Sequence, residues 1–279
     1  PARHGESMVL RILDKEKALV DMEILGFAAS DYERFQRIIK RPNGILLVTG
    51  PTGSGKTTTL YAALKKLNRP DLKIITAENP VEYNIAGINQ AQVNHKIGFD
   101  FQRILRSMLR QAPNVIMLGE IRDLETAQIA IQASLTGHLV FTTLHTNDAP
   151  GAITRLIDMG VEPFLISSTL EAVLGQRLLR SICNHCRAPY RPNDALLAEL
   201  GVSRGDIGEK QFFYGKGCPV CNNSGYKGRK GLFELLVMDD EIRELILERS
   251  SAGKIKNMAL KHGMIVLRED GWQKVRDGL

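Results

Sequence analysis

The sequence predicts an α/β fold built on a mainly parallel sheet. Three observations predict it. Short apolar runs, suited to strands buried on both faces, alternate with segments of helical periodicity. One of those runs leads through a glycine-rich turn into a helix. The pattern is broken over residues 181–231 by a stretch rich in Cys, Pro, Gly and Asn, which marks a small subdomain or insertion.

The elements follow in order. Residues 8–13 alternate weakly and suit a short strand. Asp31 can cap a helix running to Lys40, with Phe35, Ile38 and Ile39 on one side. Pro42, Asn43 and Gly44 form a turn. Residues 45–48 are continuously apolar and form the first buried strand, and a helix runs from about Lys56 to Leu67. Further strands are expected over residues 73–77, 115–118 and 139–143, with helices over 101–111, 124–135 and 149–159. Beyond the cysteine-rich stretch, residues 239–278 read as short helices, with Ser250 or Ser251 as a cap between two of them.

Composition narrows the classes. A chain of 279 residues makes one large or two modest domains, and 43% apolar residues supply an ordinary core. No apolar run approaches the ~20 residues that span a bilayer. The N-terminal stretch PARHGESMVLRILDKEK is too charged for a signal peptide and lacks a small-residue cleavage site. It reads as mid-domain sequence, so the expectation is a piece of a longer protein. A formal charge of +6, with both signs mixed along the chain, selects neither nucleic acid nor anionic lipid as a partner.

Residues Gly50, Pro51, Thr52, Gly53, Ser54, Gly55, Lys56 and Thr57 fit G-x-x-x-x-G-K-[ST], followed by Thr58 at the start of the helix. The motif lies between a buried strand and a helix, where its mechanism needs it. Glycines let the backbone wrap a phosphate, and the loop N–H groups with the helix N-terminus form an anion cradle. Lys56 is placed to reach the β- and γ-phosphates of ATP, and the Thr57 hydroxyl to bind Mg²⁺. The alternative is a glycine-rich turn of no function.

Two acidic clusters stand at strand ends, where ligands bind in such sheets. One is Glu78, with Asn79 and Glu82. The other is Glu120, with Asp123 close behind. Each carboxylate can position an attacking water or metal, or be a solvated loop acid. Asp123 can instead cap the helix starting at Leu124. His145 follows the fourth strand and points to the same edge, as a γ-phosphate sensor or as a structural histidine. His138 precedes that strand. Arg103, Arg106 and Arg110 share one helical face opposite Phe101, Ile104, Leu105, Met108 and Leu109. That face is a solvated charged surface, or it touches a neighbouring subunit's nucleotide or nucleic-acid phosphates. Few aromatics interleave with these arginines, which weighs against nucleic acid.

The four cysteines form two C-x-x-C pairs, Cys183 with Cys186 and Cys218 with Cys221, separated by a spacer of 31 residues. Two such knuckles suit tetrahedral Zn²⁺ in a closed, structural site. Disulfides or redox thiols are the alternatives, and the reducing compartment of an ATPase argues against disulfides. His185 lies inside a knuckle and is not expected to be a ligand.

Taken together the motifs resemble one family, the secretion ATPases of type II secretion systems and type IV pili. GPTGSGKTTTLYA resembles the family's Walker A segment and ITAENPVEYNIAGINQAQVN its Asp box. RSMLRQAPNVIMLGEIRDLETA resembles its Walker B segment and TGHLVFTTLHTNDA its His box. The cysteine pairs resemble the metal-binding insertion of secretion and pilus-extension members. The resemblance implies a RecA-like P-loop core over residues 26–180, a zinc-binding subdomain over 181–231 and a helical C-terminal subdomain over 232–279. Residues 1–25 would be the remnant of an N-terminal domain and linker. It assigns Glu120 to the attacking water, Glu78 and Glu82 to the neighbourhood of Mg²⁺ and water, and His138 and His145 to the His box. Arg11 would be an arginine finger, offered in trans because the core shows no obvious positive group on the far side of the γ-phosphate. Asn79 stands where the family usually has Asp, a departure that bears on metal binding there.

The implied protein is a Mg²⁺-dependent ATP hydrolase working as a homohexamer. It would be cytoplasmic and peripheral to the inner membrane, docked on a platform protein of a pilus or secretion apparatus, with no nucleic acid expected. A nucleic-acid translocase and a nucleotide-dependent scaffold that hardly cleaves ATP are the competing readings.

Overall fold

Six residues of mostly branched apolar character, Gly44–Thr49, form strand β1, and every one of them is buried. The strand follows helix α1 (Ala29–Ile38) and feeds helix α2 (Lys56–Leu67). The chain continues through β2 (Ile74–Glu78), β3 (Asn89–Gln92), α3 (Phe101–Leu109), β4 (Val115–Leu118), α4 (Leu124–Leu135), β5 (Leu139–Leu144) and α5 (Ala149–Asp158). These details come from a computed structural model, which describes residues 5, 6, 8, 20–208 and 210–278. The strand expected over residues 8–13 falls almost wholly outside the described residues, and Arg11 lies outside them.

Helix α6 (Pro163–Thr169) leads into a long strand β6 (Leu170–Ile182). A small excursion follows: β7 (Arg187–Tyr190), α7 (Asp194–Leu200), α8 (Arg204–Ile207) and β8 (Phe212–Gly215). The chain returns along β9 (Tyr226–Val237) and ends in α9 (Asp240–Leu247), α10 (Ala252–Lys261) and α11 (Leu267–Arg276). The seven-stranded sheet has the order β3-β2-β4-β5-β1-β6-β9. All neighbours are parallel except β6 and β9.

Both faces of the sheet are covered, as a parallel sheet requires. Ile45, Leu47, Ile116, Leu118 and Val140 pack with Ile104, Leu105 and Met108 of α3 and with α4 and α5. Leu46, Val48, Met117 and Phe141 pack on the other face with Phe35 of α1 and Leu60 and Leu64 of α2. The strict alternation of these two sets along β1 is the period-2 signature of a strand.

One expectation needs correction, and two strands were not foreseen. The first helix begins at Ala29 with Ala28 at its N-cap, so Asp31 is not the cap. Asp31 lies inside the first turn and is buried beside Asp270 and Lys274, with Arg34 at 3.9 Å. Strands β6 and β9 went unseen in the sequence, because only their inner halves are apolar and their outer halves carry Arg177, Arg180, Lys227 and Arg229. The texture changes at 180 and 231 consequently fall inside two long paired strands, which carry the sheet outward to the cysteines. The C-terminal helices match their expectation, and Ser251 caps α10 by accepting from the Lys254 N–H at 3.4 Å. Among the described residues no helix is long and apolar enough to cross a membrane.

Candidate functional site

The loop after β1 adopts backbone angles that its glycines permit. Gly55 has φ +88° and Gly53 φ +79°, in the left-handed region that favours glycine. A Cβ at Gly55 would also lie 2.9 Å from the Gln176 amide nitrogen, so this position excludes a side chain twice over. No heavy atom outside its chain neighbours lies within 4 Å of a Cβ built at Gly53, so that part of the loop faces open space. Lys56 begins α2 and is buried, and its Nζ donates to the carbonyls of Gly50 at 2.8 Å and Pro51 at 3.1 Å. Burial lowers its pKa, the nearby Glu120 carboxylate opposes that shift, and Arg177 adds to it.

The carboxyl ends of β1, β2, β4 and β5 meet at one cleft of about 610 Å³. Thr52, Gly53, Ser54, Gly55, Lys56, Thr57 and Thr58 line it, together with Glu78, Glu82, Glu120 and His145. Crevices beyond the strands' carboxyl ends are where open α/β sheets bind ligands. Gly50 and Pro51 are not among the lining residues; they form the base from which the loop rises. The strand ends are locked to one another: Thr143 Oγ1 donates to the Gly119 carbonyl at 2.7 Å, and the Gly119 N–H donates to Ala77 at 2.8 Å. On the β1 side, the Thr146 N–H donates to Thr49 Oγ1 at 2.9 Å, which ties the His145 loop to the phosphate-loop strand.

Glu120 is a half-buried acid that lines the cleft. Its carboxylate sits 2.6 Å from the Arg122 guanidinium and 3.5 Å from His145 Nε2. Arg122 in turn is held above its ordinary pKa, first by its hydrogen bond to Glu120 and then by the same group's charge. An acid fixed between a cation and an imidazole, facing a lysine and a phosphate cradle, can align a water or a metal. Asp123 takes its simpler role and caps α4, accepting from the Thr126 N–H at 2.8 Å. His138 is at the opposite end of β5, bonded to the Ala133 carbonyl at 2.9 Å, and is not among the cleft residues.

Glu78 and Glu82 differ. Glu82 is half-buried at the cleft. Glu78 is 2% exposed, and its oxygens accept from Tyr61, from Thr76 at 2.5 Å and from Gln90 at 3.1 Å. Arg103, Arg106 and Arg110 lie on the outer side of α3 around a shallow groove with Asp100, away from the cleft. Arg106 pairs with Glu125 at 2.6 Å.

Sequence reasoning missed Arg229, Leu178 and Tyr61, all of which line the cleft. The first two lie on β9 and β6 and share the sheet face of Phe233 and Leu174, which packs toward α2. Arg229 adds a positive group to the cleft wall. A paired-strand reading of residues 170–182 and 226–237 could have found it, since alternation then aims 229 at the phosphate loop. Tyr61 reads as one more apolar position of α2, and nothing in its neighbours signals otherwise.

The four cysteines converge where the β6–β9 ribbon ends. Every Sγ lies within 4.8 Å of the others, with Cys183–Cys218 at 3.9 Å, Cys186–Cys221 at 3.8 Å and Cys218–Cys221 at 3.7 Å. Tetrahedral zinc with Zn–S of ~2.3 Å requires sulfurs about 3.8 Å apart, so the set fits. Backbone N–H groups support it: Cys218 and Gly225 donate to Cys221 Sγ at 3.2 and 3.3 Å. Burial works against the Cys221 thiolate, yet these N–H donors and the neighbouring thiols bring its pKa down to about 6. Burial chiefly pushes Cys186 up to about 12.

The model of the type II/IV secretion system protein family matches residues 1–279. The chain is 52% identical to the type IV pilus assembly ATPase PilB of Thermus thermophilus, covering 100% of this chain and 31% of that protein. It is 52% identical to the type II secretion system ATPase E of Vibrio cholerae, covering 100% of this chain and 55% of that protein. The chain thus spans between about a third and just over half of these relatives' lengths. Among solved structures, the pilus retraction motor PilT with bound ADP is 29% identical with a TM-score of 0.62, over 91% of this chain and 66% of that one. The Legionella pneumophila ATPase DotB, 23% identical with a TM-score of 0.68 over 94% of this chain and 63% of that one, shares the fold. With a glycine-rich loop, three acids and a histidine at one sheet edge, and the whole length matched, the chain belongs to the type II/IV secretion system protein family.

Proposed function

We propose that this chain is the ATP-hydrolysing part of a motor that drives assembly of a type IV pilus or a type II secretion pseudopilus. One observation carries the reading: a single cleft collects Lys56 and Thr57 of the phosphate loop with Glu82, Glu120 and His145 from three other chain segments. The names of the relatives, a pilus assembly ATPase and a secretion ATPase, point the same way.

In this reading residues 50–58 cradle the phosphates of ATP through backbone N–H groups and the α2 N-terminus. Lys56 meets charge that grows on the β- and γ-phosphates as the bond to the γ-phosphoryl group breaks. Thr57, with the acids, would hold Mg²⁺, which neutralises phosphate charge when bound. Glu120 and Glu82 orient the attacking water, and Glu78 belongs to the same acidic set. His145, whose imidazole faces Glu120, reports on the γ-phosphate through the loop tied to Thr49. The cysteine cluster holds one structural Zn²⁺.

The motor works as a homohexamer, at the cytoplasmic side of the inner membrane, against a platform protein. Arg11 completes a neighbouring subunit's site, with Arg103, Arg106 and Arg110 as second candidates. A trans arginine can be worth ~10³–10⁵ in rate. The test is steady-state ATP turnover, with and without DNA, by the wild-type chain and by Lys56→Ala. The variant should lose on the order of 10²–10³-fold or more, and DNA should not stimulate the wild type. Near-normal turnover by Lys56→Ala would sink the assignment, and strong stimulation by DNA would move it to a nucleic-acid translocase.

A further inference from the structure

Tyr61 is the largest fully buried side chain of the protein's described core, and a phenylalanine would fill the same volume. The hydroxyl is what needs an explanation, because a buried phenol must find partners. It finds an unusual set. The phenol donates to the Glu78 carboxylate and accepts from the Glu82 N–H at 3.3 Å and the Gln90 side-chain amide at 3.4 Å. The Gln90 amide also donates to Glu78 at 3.1 Å and to the Tyr83 carbonyl at 3.0 Å, and its oxygen accepts from the Ile85 N–H at 2.7 Å. Thr76 completes the shell of Glu78.

We infer that Tyr61, with Glu78 and Gln90, is a positioning device that sets the loop bearing Glu82 against the phosphate-binding helix. Three arguments support it. Glu78 already accepts from three donors in a buried setting, so it has little capacity to take a proton from water; a carboxylate left less satisfied there would be costly. Glu82, by contrast, reaches the cleft while its own N–H is held by the phenol. Finally, Tyr61 is four residues beyond Thr57 on α2, so both occupy one helical face. Helix position and Glu82 position are therefore linked through one hydroxyl. Burial, reinforced by the hydrogen bond to Glu78, raises the Tyr61 pKa and keeps it a donor.

The inference rests on the ATPase reading of the cleft, and the experiment separates the two. Four proteins are compared in the same background: wild type, Tyr61→Phe, Glu78→Gln and Glu82→Gln. Each is measured for kcat and KM with ATP, for ADP affinity, and for amide hydrogen exchange over residues 79–85. Tyr61→Phe keeps the ring and loses only the hydroxyl. It should lower kcat about 10–100-fold, the scale of a small misplacement of a reacting group, while KM and ADP affinity stay within about twofold. Exchange over residues 79–85 should speed up severalfold, with β1 and β4 unchanged. Glu78→Gln, which keeps one acceptor oxygen and the side-chain shape, should be milder than Glu82→Gln, and the double Tyr61→Phe/Glu78→Gln variant should be less than additive. Unchanged kcat and exchange in Tyr61→Phe would overturn the inference. So would a loss in Glu78→Gln as deep as in Glu82→Gln, since Glu78 would then be doing chemistry itself. Wild-type turnover with an active Glu82→Gln would leave the ATPase reading standing and remove the group that Tyr61 is held to position. No turnover and no nucleotide binding by the wild type would defeat the reading and the inference together.

Discussion

The two ends of the β6–β9 ribbon are built by different physics. At the inner end the strands lie in the seven-stranded sheet, where Val173, Leu174, Leu235 and Leu236 are fully or almost fully buried among two helical layers. There, position is set by burial and by backbone ladders, at roughly 25 cal/mol per Å² of apolar surface. At the outer end the apolar core shrinks to a cluster around Leu197, Ile207 and Phe212. Four thiols within 4.8 Å of one another take its place. The cleft of Lys56 and Glu120 stands on the packed end, and the cysteine tip carries thiols spaced to fit a metal.

Metal removal gives the largest effect and attacks the comparison directly. Structural zinc in small domains is worth ~10–16 kcal/mol of folding free energy. Chelation, or Cys183→Ser, should therefore disorder residues 183–225, with fast amide exchange there and protection retained in β1, β4 and β5. Metal analysis before treatment should find one zinc per chain. Equal loss of protection in the sheet would show that the two regions fold as one unit. Lowering the pH should release the metal by the same route, because protons compete for the thiolates.

A core truncation probes the other end. Leu105 is fully buried between α3 and the sheet. Leu105→Ala should cost about 2–5 kcal/mol in denaturant unfolding while leaving zinc content intact. Gly55→Ala acts more locally. It forces a side chain into a left-handed backbone and against Gln176, a strain of about 1–3 kcal/mol. Its main reading is nucleotide affinity, which should fall well beyond the change in stability. The smallest effect is expected at the surface. Arg106 and Glu125 pair in solvent, so Arg106→Ala should change stability by less than ~1 kcal/mol. A large loss of activity without loss of stability would instead place Arg106 at a subunit contact.

How much of this was legible in the sequence follows from how local each signal is. Helices α2 and α4 and strand β4 stand at the residues expected, because caps, glycines and apolar runs are written within each segment. The phosphate loop was legible for the same reason. So were the acids and the histidine at strand ends, since any buried strand of this sheet delivers its next residue to the cleft. Arg229 and Leu178 were not legible, because a register running from Ala172↔Val237 to Ile182↔Tyr226 brings them there across a long excursion. Tyr61 hid in an apolar helix face. The cap assigned to Asp31 failed because the helix starts earlier, at Ala29, which leaves Asp31 buried inside the first turn.

In the proposed function Glu120, the acid facing Lys56, serves turnover rather than nucleotide retention. Glu120→Gln tests it with a near-isosteric change at a side chain that is only 15% exposed. Bound nucleotide and ATP hydrolysis are measured on the same preparation. Nucleotide affinity should stay within a fewfold of wild type, and hydrolysis should fall by on the order of 10²-fold or more. Hydrolysis at the wild-type rate would contradict it, as would loss of nucleotide binding in step with loss of turnover.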